Sequence, residues 1–489
     1  MMLMQPLKIT INRYFIMKLF SYLLVVLSLL SWSAADAQGP TNFTLNDAVD
    51  FALNNNLTIR NAVVNIADAE QQIIERRAAG VPQVNLAADY NYYIDIPTSI
   101  LPPFFPEQDF TQVEDINGAL IPITFTRTDP ETGEPIFGDP QEIQFGLRHN
   151  INGTFQVQTL LFDASYLTGL RAARAYRTYV QEELTSKRRE VRLQVIDAYL
   201  PTLIVQENMA ILDSNLSNVN QLLFEAEESY KAGFVEQLDV DRLELSLANL
   251  QTQKEQLDRQ LEILSNVLKL AMNYPTDRPI QLTDDLDDLL DDETLQVLAA
   301  EVNYDNRPEI RVLDKAIELN QLNVELNQAA YFPSVAGFFT YRQTFQGNDF
   351  STGAWFPTTL VGLTVNYPLF TGFRRQAMTE RAKLGLEITQ NQREQFRQVI
   401  NMEVENARTS YLNAKERLSN QQRNLDLAER IYRVTRIKYQ EGVGGSVELA
   451  QAEQSLYATQ SNYVQARYDL LQAQIELRNA LGLDVFKNN

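Results

Sequence analysis

The stretch Tyr439-Gln440-Glu441-Gly442-Val443-Gly444-Gly445-Ser446-Val447-Glu448-Leu449 has a counterpart 209 positions upstream, Tyr230-Lys231-Ala232-Gly233-Phe234-Val235-Glu236-Gln237-Leu238-Asp239-Val240. Each is a Tyr-x-x-Gly turn that opens a long amphipathic run. The first run ends near Ala271-Met272 and the second near Ala480-Leu481. The same offset sets Asp239 over Glu448, Ser246 over Ser455, Leu247 over Leu456 and Leu268 over Leu477. Further upstream, Leu161-Phe162 matches Leu369-Phe370, and Ala78-Ala79-Gly80-Val81-Pro82 matches Ala329-Ala330-Tyr331-Phe332-Pro333. A register held over a whole unit is an internal duplication. The first copy carries 43 extra residues between Pro82 and Phe162.

Each copy reads helix, strand, loop, strand, long helix, turn, long helix. The opening helix of the first copy begins at Thr44-Leu45-Asn46-Asp47 and runs with interruptions toward Arg77; its equivalent spans Arg307 to Ala329, and each stops before a proline. Val84, Leu86, Ala88, Tyr90 and Tyr92 then alternate with polar residues, as do Ile143 to Val157, Val335 to Tyr341 and Val361 to Tyr367. Period two with one apolar face is a strand signature, and at this length it suits a membrane β-strand as well as a half-buried soluble sheet. Residues 95–142 hold Pro97, Pro102, Pro103, Pro106, Pro122, Pro130, Pro135 and Pro140, a density that predicts an exposed loop without regular structure. The loop at 346–358 is short.

The long helices carry heptads. Leu212, Leu216, Val219, Leu223, Ala226 and Tyr230 step by four and three, and Leu243, Leu247, Leu250, Lys254, Leu257, Leu261, Leu264, Leu268 and Ala271 continue after the turn. In the second copy the seam is Ala452, Leu456, Thr459, Tyr463, Ala466, Leu470, Ala473, Leu477 and Ala480, with smaller residues. The run from Asp163 to Tyr230 corresponds to roughly 100 Å of helix at about 1.5 Å per residue. Pro201 lies inside it and predicts a kink or local unwinding, but the hydrophobic positions resume on both sides, so one helix with a defect is expected.

The N-terminus reads as an export signal: Met17-Lys18, an apolar core through Leu30, then Ala35-Asp36-Ala37. Translation from Met17 in place of Met1 fits equally well. The layout is a signal peptide at 1–37, a first repeat at 38–275 with strands near 83–95 and 143–161 and a tip near 231–238, an acidic connector at 276–305, a second repeat at 306–483 with strands near 334–345 and 359–369 and a tip near 440–447, and a tail at 484–489. No other stretch is long and apolar enough for a membrane-spanning helix. The 489 residues hold 42 Lys+Arg, 63 Asp+Glu, one histidine and no cysteine, for a net charge of −21. This composition excludes disulfides, Cys-ligated zinc, iron–sulfur clusters and a His-rich metal centre, and it opposes nucleic acid as a partner. Neither G-x-S-x-G nor H-E-x-x-H occurs, so no hydrolase chemistry is expected, and no cofactor.

Four lipid-compatible strands cannot close a barrel, since an open edge is not tolerated in hydrocarbon and about eight strands is the usual minimum. Three chains would supply 12 strands from four each; two would supply eight, with a narrow, filled interior. An oligomeric channel follows, with a β-barrel in an outer membrane and a helical conduit below it.

With the duplicated tips and the Leu-Phe pairs quoted above, the chain resembles the TolC-type outer-membrane efflux proteins over residues 43–483. The resemblance implies an α+β membrane channel: a long α-helical barrel plus a 12-stranded transmembrane β-barrel built from three chains. It implies a homotrimer that docks a periplasmic adaptor and an inner-membrane RND or ABC transporter and gives an exit duct for efflux or type I secretion. It further implies that Gly233 and Gly442 sit in the hairpin turns and that Tyr230 and Tyr439 lie near the tip, where hydrogen bonding helps hold the closed state. Asp239 and Glu448 then occupy the positions of acidic rings at the periplasmic aperture. The chain departs from some members in having Gly444 where they carry a basic residue, so a basic lock is absent there. A threefold Glu448 ring is expected to favour cations.

The run Asp284-Asp285, Asp287-Asp288, Asp291-Asp292-Glu293 lacks the alternating spacing of a calcium loop and reads as a solvated connector. His149 falls on a strand's apolar side, and Trp355 at a strand start suits an aromatic belt. The competing reading is a structural coiled-coil envelope protein without channel activity, for which amphipathic strands have no use.

Overall fold

The computed structural model describes residues 41–101, 106–114, 118, 120–139, 141–144, 146–290 and 297–483. The export signal, the tail, Pro102, Pro103, Pro140 and Asp291-Asp292-Glu293 lie outside the described residues. The strands are β1 Asn42–Phe43, β2 Gln83–Tyr92, β3 Thr98–Leu101, β4 Gln108–Glu114, β5 Leu120–Thr126, β6 Gln141–Gln144, β7 His149–Phe162, β8 Gln281–Leu282, β9 Ser334–Gly347 and β10 Ala354–Asn366. The helices are α1 Leu45–Asn55, α2 Leu57–Ala78, α3 Ala164–Lys231, α4 Gln237–Met272, α5 Leu286–Leu289, α6 Pro308–Ala329, α7 Arg374–Gln440 and α8 Ser446–Ala480. Contacts divide the chain into two units that do not follow the repeats, each drawing segments from both: one holds residues up to Val63, Glu183–Ile310 and Phe396 onward, the other Val64–Glu182 and Arg311–Gln395.

The second unit contains a four-stranded sheet in the order β10-β9-β7-β2. The central β7–β9 pair joins the two repeats, running antiparallel from His149 opposite Gly347 to Phe162 opposite Val335. The outer strands β2 and β10 are exposed along nearly their whole length, including Leu86, Val361, Leu363 and Val365. β10 begins at Ala354, ahead of the alternation near 359, and carries Pro357. An edge strand tolerates proline because one row of its N–H groups has no partner to lose. Trp355 lies in this strand, opposite Phe345.

The Pro-rich segment departs from expectation. It is not without regular structure: β3 pairs with β6 and β4 with β5, all antiparallel. Ile143, which alternation had assigned to the long strand, belongs to β6 opposite Ser99, and β7 starts only at His149. In a two-stranded ribbon each strand is an edge, so Pro122 fits within β5, and Pro106 and Pro135 occupy single bridges opposite Phe137 and Thr128.

The first unit is mainly helical, with one short parallel pair, β1–β8. Thr44 caps α1, its hydroxyl accepting from Asp47 N while the Asp47 carboxylate accepts from Thr44 N. α3 runs unbroken for 68 residues with Pro201 inside it. The buried positions of α3 near the tip are Leu212, Asn215, Val219, Leu222 and Ala226, so the seam swaps Leu216 for Asn215 and Leu223 for Leu222. Asn215 is accommodated because its amide donates to Gln460 Oε1 at 3.1 Å. The largest core surrounds Tyr199, whose hydroxyl is shared between Phe43 O (3.1 Å) and Asp284 Oδ2 (3.0 Å).

The acidic stretch is likewise more than a solvated connector. Asp284 Oδ2 accepts from Leu45 N at 2.7 Å, and Arg467, 8% exposed, pairs with Glu207 at 3.0 Å, Asp285 at 3.0 Å and Asp287 at 2.7 Å. The stretch from Gln281 to Leu290 is thereby strapped onto α3 and α8, while Asp288 remains exposed.

Candidate functional site

The two hairpin tips have one backbone design. At the end of α3, Gly233 N donates to Tyr230 O (2.9 Å) and Phe234 N to Ser229 O (2.9 Å); at the end of α7, Gly442 N donates to Tyr439 O (3.0 Å) and Val443 N to Lys438 O (3.0 Å). This closure satisfies the last helical carbonyls and requires a left-handed residue. Gly233 has φ +80° and Gly442 φ +69°, so both occupy the left-handed turn position that the family resemblance implies for them. The next helices start differently. Glu236 N donates to the Asp239 carboxylate at 3.3 Å in a capping box, whereas Gly445 offers α8 no side-chain cap.

Beneath the tips a small core brings four helices together. Leu222 and Ala226 of α3, Val240 and Leu243 of α4 and Leu449 of α8 are buried, and Tyr432 and Tyr439 of α7 pack against them. Tyr439 belongs to this core, and its enclosed hydroxyl has no hydrogen-bond partner among the described residues. Burial raises its phenol above the ordinary range, and the carboxylates of Asp239 and Glu225 add to the shift. Tyr230 is 44% exposed and outside this core.

Asp239 links the two hairpins at the tips. The Ser446 hydroxyl donates to Asp239 Oδ1, and Arg242 donates to Ser446 Oγ at 2.9 Å while lying 3.8 Å from Asp239. A second crossing runs from Gln440 Nε2 to Glu225 Oε2 at 3.2 Å. Donation from Gln221 and then from Gln440 holds the Glu225 carboxyl below its usual range. These two bridges tie the first hairpin to the second where Gly444 supplies no basic side chain. Glu448 is exposed in the first turn of α8 and does not enter the cluster.

Of the residues read from sequence, the structure therefore groups Asp239 and Tyr439, sets Gly233 and Gly442 in the turns, and leaves Tyr230 and Glu448 on the surface. Ser446, Arg242, Gln440 and Glu225 were not anticipated. Asp239 and Arg242 are spaced i, i+3, a visible cue, but Ser446 lies 207 positions away. Among the described residues there is no cluster of His, Cys, Asp and Glu able to hold a metal ion. No described helix is long and apolar enough to cross a membrane.

Residues 303–483 match the family described as outer membrane efflux protein. The alkaline protease secretion protein AprF of Pseudomonas aeruginosa is 23% identical over 343 residues, 68% of this chain and 69% of that one. The pyoverdine export outer membrane protein OpmQ of the same species is 26% identical over 65% of each chain. The alignments thus span about two thirds of these relatives. The outer membrane protein VceC of Vibrio cholerae superposes with a TM-score of 0.63 over 90% of this chain and 97% of its own, at 17% identity, a likeness of fold. On these findings together, the chain is an outer-membrane protein whose residues 303–483 match the outer membrane efflux protein family and whose α+β fold is that of the TolC-type channels.

Proposed function

We propose that three copies of the chain assemble into one outer-membrane exit duct for efflux or type I secretion. In this reading the strand-bearing segments form a 12-stranded barrel, the long helices continue it into the periplasm, and the hairpin tips close its inner end. The observation that carries the reading is the sheet β10-β9-β7-β2, which has both edges open and apolar side chains exposed on β2 and β10. Long apolar edges are not left unpaired in membrane or water, and pairing β2 of one copy with β10 of the next removes both. Apolar stripes left exposed on the helices, such as Leu427, Ile431 and Val434 of α7, support further contacts between copies. A rod-like coiled-coil envelope protein has no use for this sheet.

The duct itself does no chemistry. A periplasmic adaptor docks at the tips, and an inner-membrane RND or ABC transporter supplies the energy. AprF and OpmQ are named for protease secretion and pyoverdine export respectively, which supports a role in outward transport without selecting this chain's cargo.

The test is a heat-modifiable trimer in outer-membrane fractions, together with its conductance in planar bilayers. Ser446→Ala, which removes the bridge between Asp239 and α8, is expected to raise conductance several-fold over the wild type. A monomer, or a trimer that carries no current even with Ser446→Ala, overturns the reading.

A further inference from the structure

One group just above the tip core is unmatched. Glu453 of α8 is 6% exposed, and neither carboxylate oxygen has a hydrogen-bond partner among the described residues. Opposite it, on α7, the Tyr432 hydroxyl and Arg436 Nε are also enclosed and unpartnered. Tyr432 and Arg436 are spaced i, i+4 and so share one helix face. Glu453 lies one turn beyond Leu449, a member of the tip core, and Tyr432 packs against that same core. A charged carboxylate enclosed in this way loses hydration and gains no hydrogen bond in return. Burial accordingly pushes Glu453 up to about 7, with the Arg436 guanidinium opposing the shift.

The charged and titratable groups around it are few. From α7 they are Arg436 and Tyr432, and Arg436 also faces Glu225 of α3. From α4 there is Arg242, which is engaged with Ser446 and Asp239. α3 presents the neutral Asn215, and α8 itself adds Tyr457. Glu453 borders a groove of about 740 Å³ lined by these last residues together with Asn249 and Gln454, which gives protons a route from water.

We propose that Glu453 is a proton-responsive strut of the tip: neutral, it lets α7 pack against α8, and ionised, it weakens that packing and favours separation of the hairpins. This rests on the reading of the tips as the closing end of a duct. The sign follows from the raised value in the packed state. The packed tip holds its full stability below about 4.5, the carboxyl's ordinary value, and loses it as pH rises through about 7. If separation restores ordinary hydration, the closed–open equilibrium shifts by about 75-fold between pH 5 and pH 8.5.

The experiment records conductance of the full trimer in planar bilayers from pH 5 to pH 8.5, for wild type and Glu453→Gln, a neutral side chain of the same size. The wild type is expected to open as pH rises, and Glu453→Gln to stay closed throughout with a flat profile. The same pH profile in both proteins overturns the proposal, whereas absence of current from either at any pH, and after Ser446→Ala, overturns the duct reading instead. Hydrogen exchange over residues 429–456, corrected for intrinsic rates, gives a second readout. Glu453→Gln should exchange tens of times more slowly than wild type at pH 8.5 and equally at pH 5; equal rates at both pH values also overturn the proposal.

Discussion

Replacing Arg467 with methionine should release the acidic strap in a pH-dependent way. The side chain fits the same volume, and the change removes the cation shared by Glu207, Asp285 and Asp287. Asp285 and Asp287 are 62% and 71% exposed, so their pairs are each worth only about 0–1 kcal/mol. Glu207 is 20% exposed, and stripping a buried carboxylate of its partner costs about 3–5 kcal/mol when burial is complete. Discounted for residual solvent, the loss should be about 2–3 kcal/mol, or about 30- to 150-fold in local opening. Burial already holds the Glu207 carboxyl above its ordinary value, with donation from Leu286 N and the charge of Arg467 working against the rise. Without Arg467 it rises further. A carboxyl raised in the folded state contributes stability below its unfolded value and loses it as pH climbs through the folded one. The deficit should therefore be small near pH 5 and full at pH 8. The assay is exchange of the Leu286 amide, which donates to Glu207 Oε1 at 3.1 Å. An equal deficit at both pH values, or none at pH 8, would refute the electrostatic account.

Three further outcomes can be checked. Gly442→Ala and Gly233→Ala force a β-carbon into left-handed backbone and should each destabilise by about 1–2 kcal/mol, seen as a lowered melting temperature; an unchanged melt would mean that the turn relaxes. Gly347→Ala would put its β-carbon 2.6 Å from both Asp349 O and Gly353 Cα, so the β9–β10 turn must move, and trimer yield in the outer membrane should fall. Glu448→Gln should abolish cation preference if the exposed carboxylate lines the pore; an unchanged cation-to-anion permeability ratio would discard the acidic ring.

The elements that sequence made legible are those specified by a local period. Duplication exposed both tips at a fixed offset, and the family resemblance set a glycine in each turn. Alternation located the long strands, and heptads located α4 and α8. Where the sequence reading departed from the structure, the deciding partner lay far along the chain or in a geometry that composition does not encode. The α3 seam is one case. Scoring apolar side chains favours Leu216, but Gln460 on α8 satisfies the Asn215 amide, so the polar residue is buried and Leu216 is left half-exposed. The Pro-rich insertion is another. Proline count speaks for irregularity only where each N–H is needed, and in a paired ribbon half of them are not.

The tip shows the same limit in functional form. Asp239 was found by its place in a repeat, yet its behaviour depends on Ser446, a residue whose type carries no signal of its own and whose partners belong to the other hairpin. Sequence gives no sign of Glu453, which sits between the seam residues Ala452 and Leu456, where a charged side chain ordinarily points to water. Here α7 covers it, and the cost of enclosing that carboxylate appears only once both hairpins are placed. The same duplication that makes the fold readable hides this. The residue 209 positions upstream of Glu453 is Glu244, which is exposed on α4, so one repeat position carries a solvated carboxylate in the first hairpin and an enclosed one in the second. Matching the two repeats identifies equivalent backbone, and the divergence in burial between equivalent carboxylates marks where the second hairpin has a property that the first lacks.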